Sequence, residues 1–125
     1  MPRTFSLGAR IASFGYALRG LAQLLATQHN AWIHAAATLG VCALAGFLGI
    51  SAGEWLAVVL AVSAVWSAEA INTAFESLCD LVSPDQQPLV QRAKDVAAGA
   101  VLVSATGAAT VGLIVFVPRL VNLVR

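Results

Sequence analysis

Glu69, Asn72, Glu76 and Asp80 stand three, four and four residues apart. On a helix those steps place all four side chains on one stripe. The stripe ends a segment apolar enough to cross a membrane, where ionised groups are costly and are usually kept for a function. Lys94 and Asp95 follow after a short polar stretch. Carboxylates at a membrane surface suit hard divalent cations such as Mg²⁺, which take oxygen ligands and often arrive on nucleotide phosphates. A nearby lysine suits phosphate oxygens. A carboxylate set deeper in low dielectric can accept a proton from a lipid hydroxyl. Together these parts describe phosphoryl transfer.

The residues alone leave other readings open. A proton or ion pathway could be lined by the same carboxylates, and a structural membrane subunit could carry them as interhelical contacts. Gly8, Gly15 and Gly20 do not match the phosphate-binding loop or kinase glycine patterns. Each residue also has a plain structural role to weigh. Asp80 can pair with Lys94 or Arg92, Asn72 can join helices, and His34 can hydrogen-bond within the bundle. Trp32, Trp55 and Trp66 read as packing or interface anchors. Glu54 reads as a solvated turn residue that favours the start of the following helix. Glu69 and Glu76 resist this treatment best, because no basic residue lies between them to partner either one.

The elements that must position this stripe are helical. The chain has 125 residues, 59% hydrophobic and only 10% charged, and its mean hydropathy is +0.84. A soluble domain of this size carries more charge, so the expected class is all-α integral membrane, in a single domain. The net charge of +1, from scattered basic residues, gives no nucleic-acid footprint. Cys42 and Cys79 lie in apolar segments without metal spacing and read as free thiols. No cleavable signal is expected at the N-terminus.

Residues 5–25 place Leu7, Ile11, Phe14, Leu18, Leu21 and Leu25 on one face, with Tyr16, Arg19 and Gln23 opposite. This predicts an amphipathic helix lying in the membrane interface; the competing reading is a helix packed on the core. Thr27 to Asn30 is a polar break. Spans are expected at about 31–50, 55–82 and 89–118, with a turn at 49–53 and a loop at 83–88. Pro118 and Arg119 are expected to end the last span. Arg3, Arg10, Arg19, Arg92 and Lys94 fall on one side of this arrangement, while the 49–54 turn has no Lys or Arg. The positive-inside bias therefore puts the N-terminus and the 83–88 loop in the cytoplasm, against Arg119 and Arg125 on the other side.

The segments Ser13-Phe14-Gly15-Tyr16-Ala17, Asn30-Ala31-Trp32-Ile33-His34, Ala68 to Glu76, Asp80-Leu81-Val82-Ser83-Pro84 and Ala93 to Val101 occur in this order. Across about residues 10–118 the chain resembles the small prokaryotic diacylglycerol kinase family. The Glu-x-x-Asn-x-x-x-Glu and Ala-Lys-Asp segments are its most specific features. The Asn-x-x-Ile-His and Ala-Lys-Asp-Val-Ala-Ala-Gly-Ala-Val forms look more like the Gram-positive branch, whose members resemble undecaprenol kinases.

The resemblance implies an interfacial helix plus three spans, a homotrimer with active sites built between subunits, and residence in the bacterial inner membrane. It implies ATP as donor, Mg²⁺ as cofactor, and a membrane lipid alcohol as acceptor, undecaprenol first and diacylglycerol second. A small ion- or proton-conducting membrane protein is the alternative. Carried over by resemblance, Glu69 is the general base, Asn72 positions the reacting groups, and Glu76 holds Mg²⁺. Lys94, Asp95, Asp80 and Tyr16 contact the nucleotide. The chain departs from the family pattern twice. Gln28 stands where many members have a second metal-binding glutamate, so a neutral amide oxygen replaces a charged ligand. Arg10 stands six residues before Tyr16, where the family's arginine stands seven before its tyrosine.

Overall fold

The computed structural model describes residues 5–85 and 87–125. Arg3, which contributes to the charge bias, and Gln86, in the polar loop, lie outside the described residues. Among the described residues four helices follow one another: α1 (Leu7–Thr27), α2 (His29–Leu48), α3 (Ala52–Val82) and α4 (Pro88–Val124). The last three are long and apolar enough to cross a membrane.

Ser6 starts α1 by accepting a hydrogen bond from the Ala9 amide through its hydroxyl, at 3.3 Å. The polar break is one residue wide. Gln28 adopts extended backbone and His29 already begins α2. The Trp32 indole N–H bridges the break to the Leu25 carbonyl, at 2.5 Å. Along α1 only Leu24 is buried. The predicted stripe from Leu7 to Leu25 stays exposed in the single chain, so α1 does not pack that face on the chain's own core.

At the other end of α2, Gly49 has φ 58°, the left-handed conformation that closes a helix and that side chains resist. The Ile50 amide then donates to the Ala45 carbonyl at 3.3 Å. Ser51 and Glu54 form a reciprocal capping box at the start of α3. The Ser51 hydroxyl accepts from the Glu54 amide at 3.3 Å, and the Glu54 carboxylate accepts from the Ser51 amide at 2.7 Å. The same carboxylate accepts from Arg119, Nε to Oε1 at 3.0 Å and Nη2 to Oε2 at 2.5 Å. Glu54 is thus not the solvated turn residue expected from sequence; it caps one helix and anchors another.

Arg119 also corrects the expected end of α4. The helix continues through Pro118 to Val124. Proline removes one amide donor and crowds the preceding turn. The turn beyond it is held from outside, because Arg119 is fixed by Glu54 and its Nη1 reaches the Gly49 carbonyl at 3.5 Å.

Helices α3 and α4 run antiparallel and share the most extensive packing. Lys94 meets Asp80 at 2.9 Å at one end, as Arg119 meets Glu54 at the other. Glu54 to Asp80 spans 26 residues of α3, and Lys94 to Arg119 spans 25 of α4. At a rise of about 1.5 Å per residue, each stretch measures roughly 38 Å. That exceeds the roughly 30 Å hydrocarbon layer, so the two ion pairs bracket an apolar slab. Near the Arg119 end, Ala45, Ile50, Val58, Val115 and Phe116 form the buried core, with Trp55, Val62 and Val111 around it. Elsewhere large apolar side chains such as Phe47, Ile71, Leu102 and Ile114 face outward, as lipid contact requires.

Candidate active site

The carboxylate stripe lies on the half of α3 away from that core. Glu69 is 1% exposed and Asn72 8%, and they are the only buried polar side chains among the described residues. Glu76 is half-buried and Asp80 exposed, so the stripe climbs from a dry end to a wet one. The Asn72 amide donates to Glu76 Oε1 at 3.3 Å. Glu69 Oε2 and Asn72 Oδ1 are buried without a hydrogen-bond partner. Buried polar atoms are normally satisfied, and unsatisfied ones collect at sites awaiting a ligand or a proton.

A cavity of about 340 Å³ opens beside these groups, lined by Asn30, His34, Glu69, Asn72 and Glu76 together with apolar residues of α4. A second cavity of about 360 Å³ runs between α2, α3 and α4, walled almost wholly by apolar side chains from Ala37 down to Phe116. Ile33, His34 and Ala105 line both. A chamber that holds the polar groups, the polar chamber, and an apolar cleft therefore meet at these three residues, with Glu69 on the chamber side. That junction fits a molecule with a reactive head and a hydrocarbon tail.

Above the chamber, Lys94 Nζ bonds Asp80 Oδ1, and Gln91 donates to Asp95 Oδ1 at 2.8 Å. The antiparallel packing thus brings the Ala-Lys-Asp segment to the outer end of the stripe. Arg10, Tyr16 and Gln28 are not among the residues lining the polar chamber. Arg10 lies over the Phe5 ring, the guanidinium of Arg19 lies 4.8 Å from the Tyr16 ring centre, and Gln28 donates to the Thr27 hydroxyl at 3.4 Å. Sequence reasoning left out two residues that line the chamber, Asn30 and His34. The signal for His34 was its place as the lone ionisable group of the first apolar run.

Among the described residues no three His, Cys, Asp or Glu side chains converge as a metal cage. The carboxylate of Glu76, which lines the chamber, nonetheless suits Mg²⁺, which usually takes one or two protein carboxylates and completes its shell with phosphate and water.

Residues 15–116 match the family described as prokaryotic diacylglycerol kinase. The chain belongs to that family. It is 38% identical over 108 residues to the undecaprenol kinase of Bacillus subtilis, covering 86% of this chain and 88% of that protein. It is also 38% identical over 114 residues to the diacylglycerol kinase of Synechocystis, covering 90% of this chain and 65% of that longer protein. Membership makes the chain a membrane-embedded lipid kinase and favours phosphoryl transfer over the conducting alternative.

Proposed function

We propose that this family member transfers the γ-phosphoryl group of ATP to the hydroxyl of a membrane lipid alcohol, with undecaprenol the first choice and diacylglycerol the second. The observation that carries the reading is the buried, unpartnered carboxylate oxygen of Glu69 in a chamber that adjoins an apolar cleft through Ile33, His34 and Ala105. Near-complete coverage of the Bacillus undecaprenol kinase, against 65% of the cyanobacterial diacylglycerol kinase, supports the order of acceptors.

In this reading the acceptor's tail lies along the apolar cleft and its hydroxyl faces Glu69. Glu69 takes the hydroxyl proton as the oxygen attacks the γ-phosphorus. The new P–O bond forms while the bond to the ADP oxygen breaks, so phosphorus stays in balance. Asn72 orients the reacting groups through its unpartnered carbonyl and its bond to Glu76. Glu76, with Gln28, holds Mg²⁺, which when bound neutralises phosphate charge. Lys94, Asp95 and Asp80, at the exposed end of the stripe, bind the nucleotide with Arg10 and Tyr16. Arg10, Tyr16 and Gln28 do not line the chamber of their own chain; in this reading they reach the site of a neighbouring subunit, in the homotrimer that the family resemblance implies. The exposed apolar face of α1 rests in the membrane interface. The chain sits in the bacterial inner membrane with its N-terminus and the stripe's wet end in the cytoplasm.

The test is direct. Purified protein is incubated with γ-labelled ATP, Mg²⁺ and a panel of lipid alcohols, and the lipids are extracted. Label in undecaprenol above all others is the expected result. Label in diacylglycerol alone reverses the order of acceptors, and label in no lipid rejects the assignment.

A further inference from the structure

We infer that His34 is the positioning partner of Glu69, donating from Nε2 to hold the base in place for the acceptor hydroxyl; this rests on the kinase reading above. His34 Nε2 lies 3.6 Å from Glu69 Oε2, the oxygen that otherwise has no partner. That separation is just beyond a hydrogen bond, and such contacts tighten when substrate closes a site. Among the described residues His34 is the only basic side chain within 4 Å of Glu69.

The imidazole lies against one neighbouring ring, and the backbone that carries it is tied to the same neighbour. Its ring lies edge-on to Trp66, with centroids 6.4 Å apart. The Trp66 indole N–H donates to the Thr38 hydroxyl at 3.0 Å, and Thr38 donates to the His34 carbonyl at 2.7 Å. Trp66 precedes Glu69 by three residues on α3, so one turn carries both the base and the group that braces its partner. This chain of contacts fixes the α2 register that puts Nε2 beside Oε2. A carboxylate free to rotate in a chamber of this size would lose the alignment that proton abstraction needs, and small misplacements cost rate steeply. His34 also lines the apolar cleft, so it stands where the tail of the acceptor turns into its head.

The test compares two amides of equal polarity and different reach. The amide nitrogen of glutamine overlays imidazole Nε2, whereas that of asparagine overlays Nδ1 and falls short of Glu69. Full-length His34→Gln and His34→Asn are purified with matching size-exclusion profiles. They are assayed with labelled ATP against undecaprenol and against diacylglycerol. We expect His34→Asn to lose on the order of 10²-fold in kcat with the KM for MgATP unchanged. His34→Gln should recover most of that loss. In a Glu69→Gln background, His34→Asn should cost nothing more, since a residue that acts through Glu69 has nothing left to act on. Wild-type kcat in His34→Asn overturns the inference. So does equal loss in Asn and Gln, or an undiminished His34→Asn loss in the Glu69→Gln background; all three leave the kinase reading standing. No transfer by the wild-type protein to any lipid alcohol removes both.

Discussion

Arg119 and Glu54, sixty-five residues apart in sequence, meet through two parallel N–H···O contacts at the opposite end of the bundle from Lys94 and Asp80. The fork ties the end of α4 to the first turn of α3, and its third nitrogen reaches the Gly49 carbonyl at the end of α2. One guanidinium therefore gathers three helix ends. Its remoteness from the stripe sets up a clean contrast between stability and turnover.

Arg119→Ala should lower the thermal midpoint in detergent and leave the KM for ATP unchanged. Lys94→Ala should do the reverse, raising the KM for ATP and slowing transfer while the fold persists. Both pairs are partly exposed, so neither loss is expected to unfold the protein outright. Paired melting curves and ATP titrations separate the two roles. A raised KM in the Arg119 variant would place nucleotide at the wrong end of the molecule.

Glu69→Gln should retain the fold and nearly abolish turnover. The carboxamide matches the carboxylate in shape but cannot take the hydroxyl proton, and loss of a general base costs about 10²–10⁴ in rate. Nucleotide affinity, read by binding of labelled ATP, should change little. Normal single-turnover rates in this variant would exclude Glu69 as the base.

Glu76→Gln should shift the Mg²⁺ titration of activity to higher concentration more than it lowers the rate at saturating metal. One anionic oxygen is lost from a set that already includes the neutral Gln28. The reciprocal change, Gln28→Glu, should lower the Mg²⁺ requirement. An unaltered titration for Gln28→Glu would show that position 28 does not reach the metal.

A cysteine placed at Gln87, the exposed N-cap of α4, should react with an impermeant thiol reagent from the cytoplasmic side only. Cys42 and Cys79 are replaced first, since Cys42 is exposed and Cys79 partly so. Labelling exclusively from outside would put the Asp80–Lys94 end away from ATP.

The stripe from Glu69 to Asp80 was legible because helical spacing is local, and a run of four residues carries its own phase. The three spans were legible for the same reason, as continuous apolar composition. Of the pairings across helices, Asp80 with Lys94 was legible across the short loop, but the one at the other end of the bundle was not. Nothing periodic links Glu54 to Arg119, and an acid after Gly49-Ile50-Ser51 resembles any wet turn until its partner arrives in space. Likewise, the bond between Thr38 and Trp66 sets which face of α2 meets α3, and only that choice puts His34 beside Glu69. Pro118 was misleading because its local effect is to break helices, while the turn beyond it is held by the bond of Arg119 to Glu54 on another element, α3.

Only eight hydrophobic side chains are buried among the described residues, two of them alanines. Most of the apolar surface is left for something else to wet. The amphiphile around this protein is therefore a component of its folded state rather than a solvent for it. A melting temperature measured for the chain belongs to the mixture. Changing the length of the detergent tail is then comparable, in thermodynamic terms, to making a mutation.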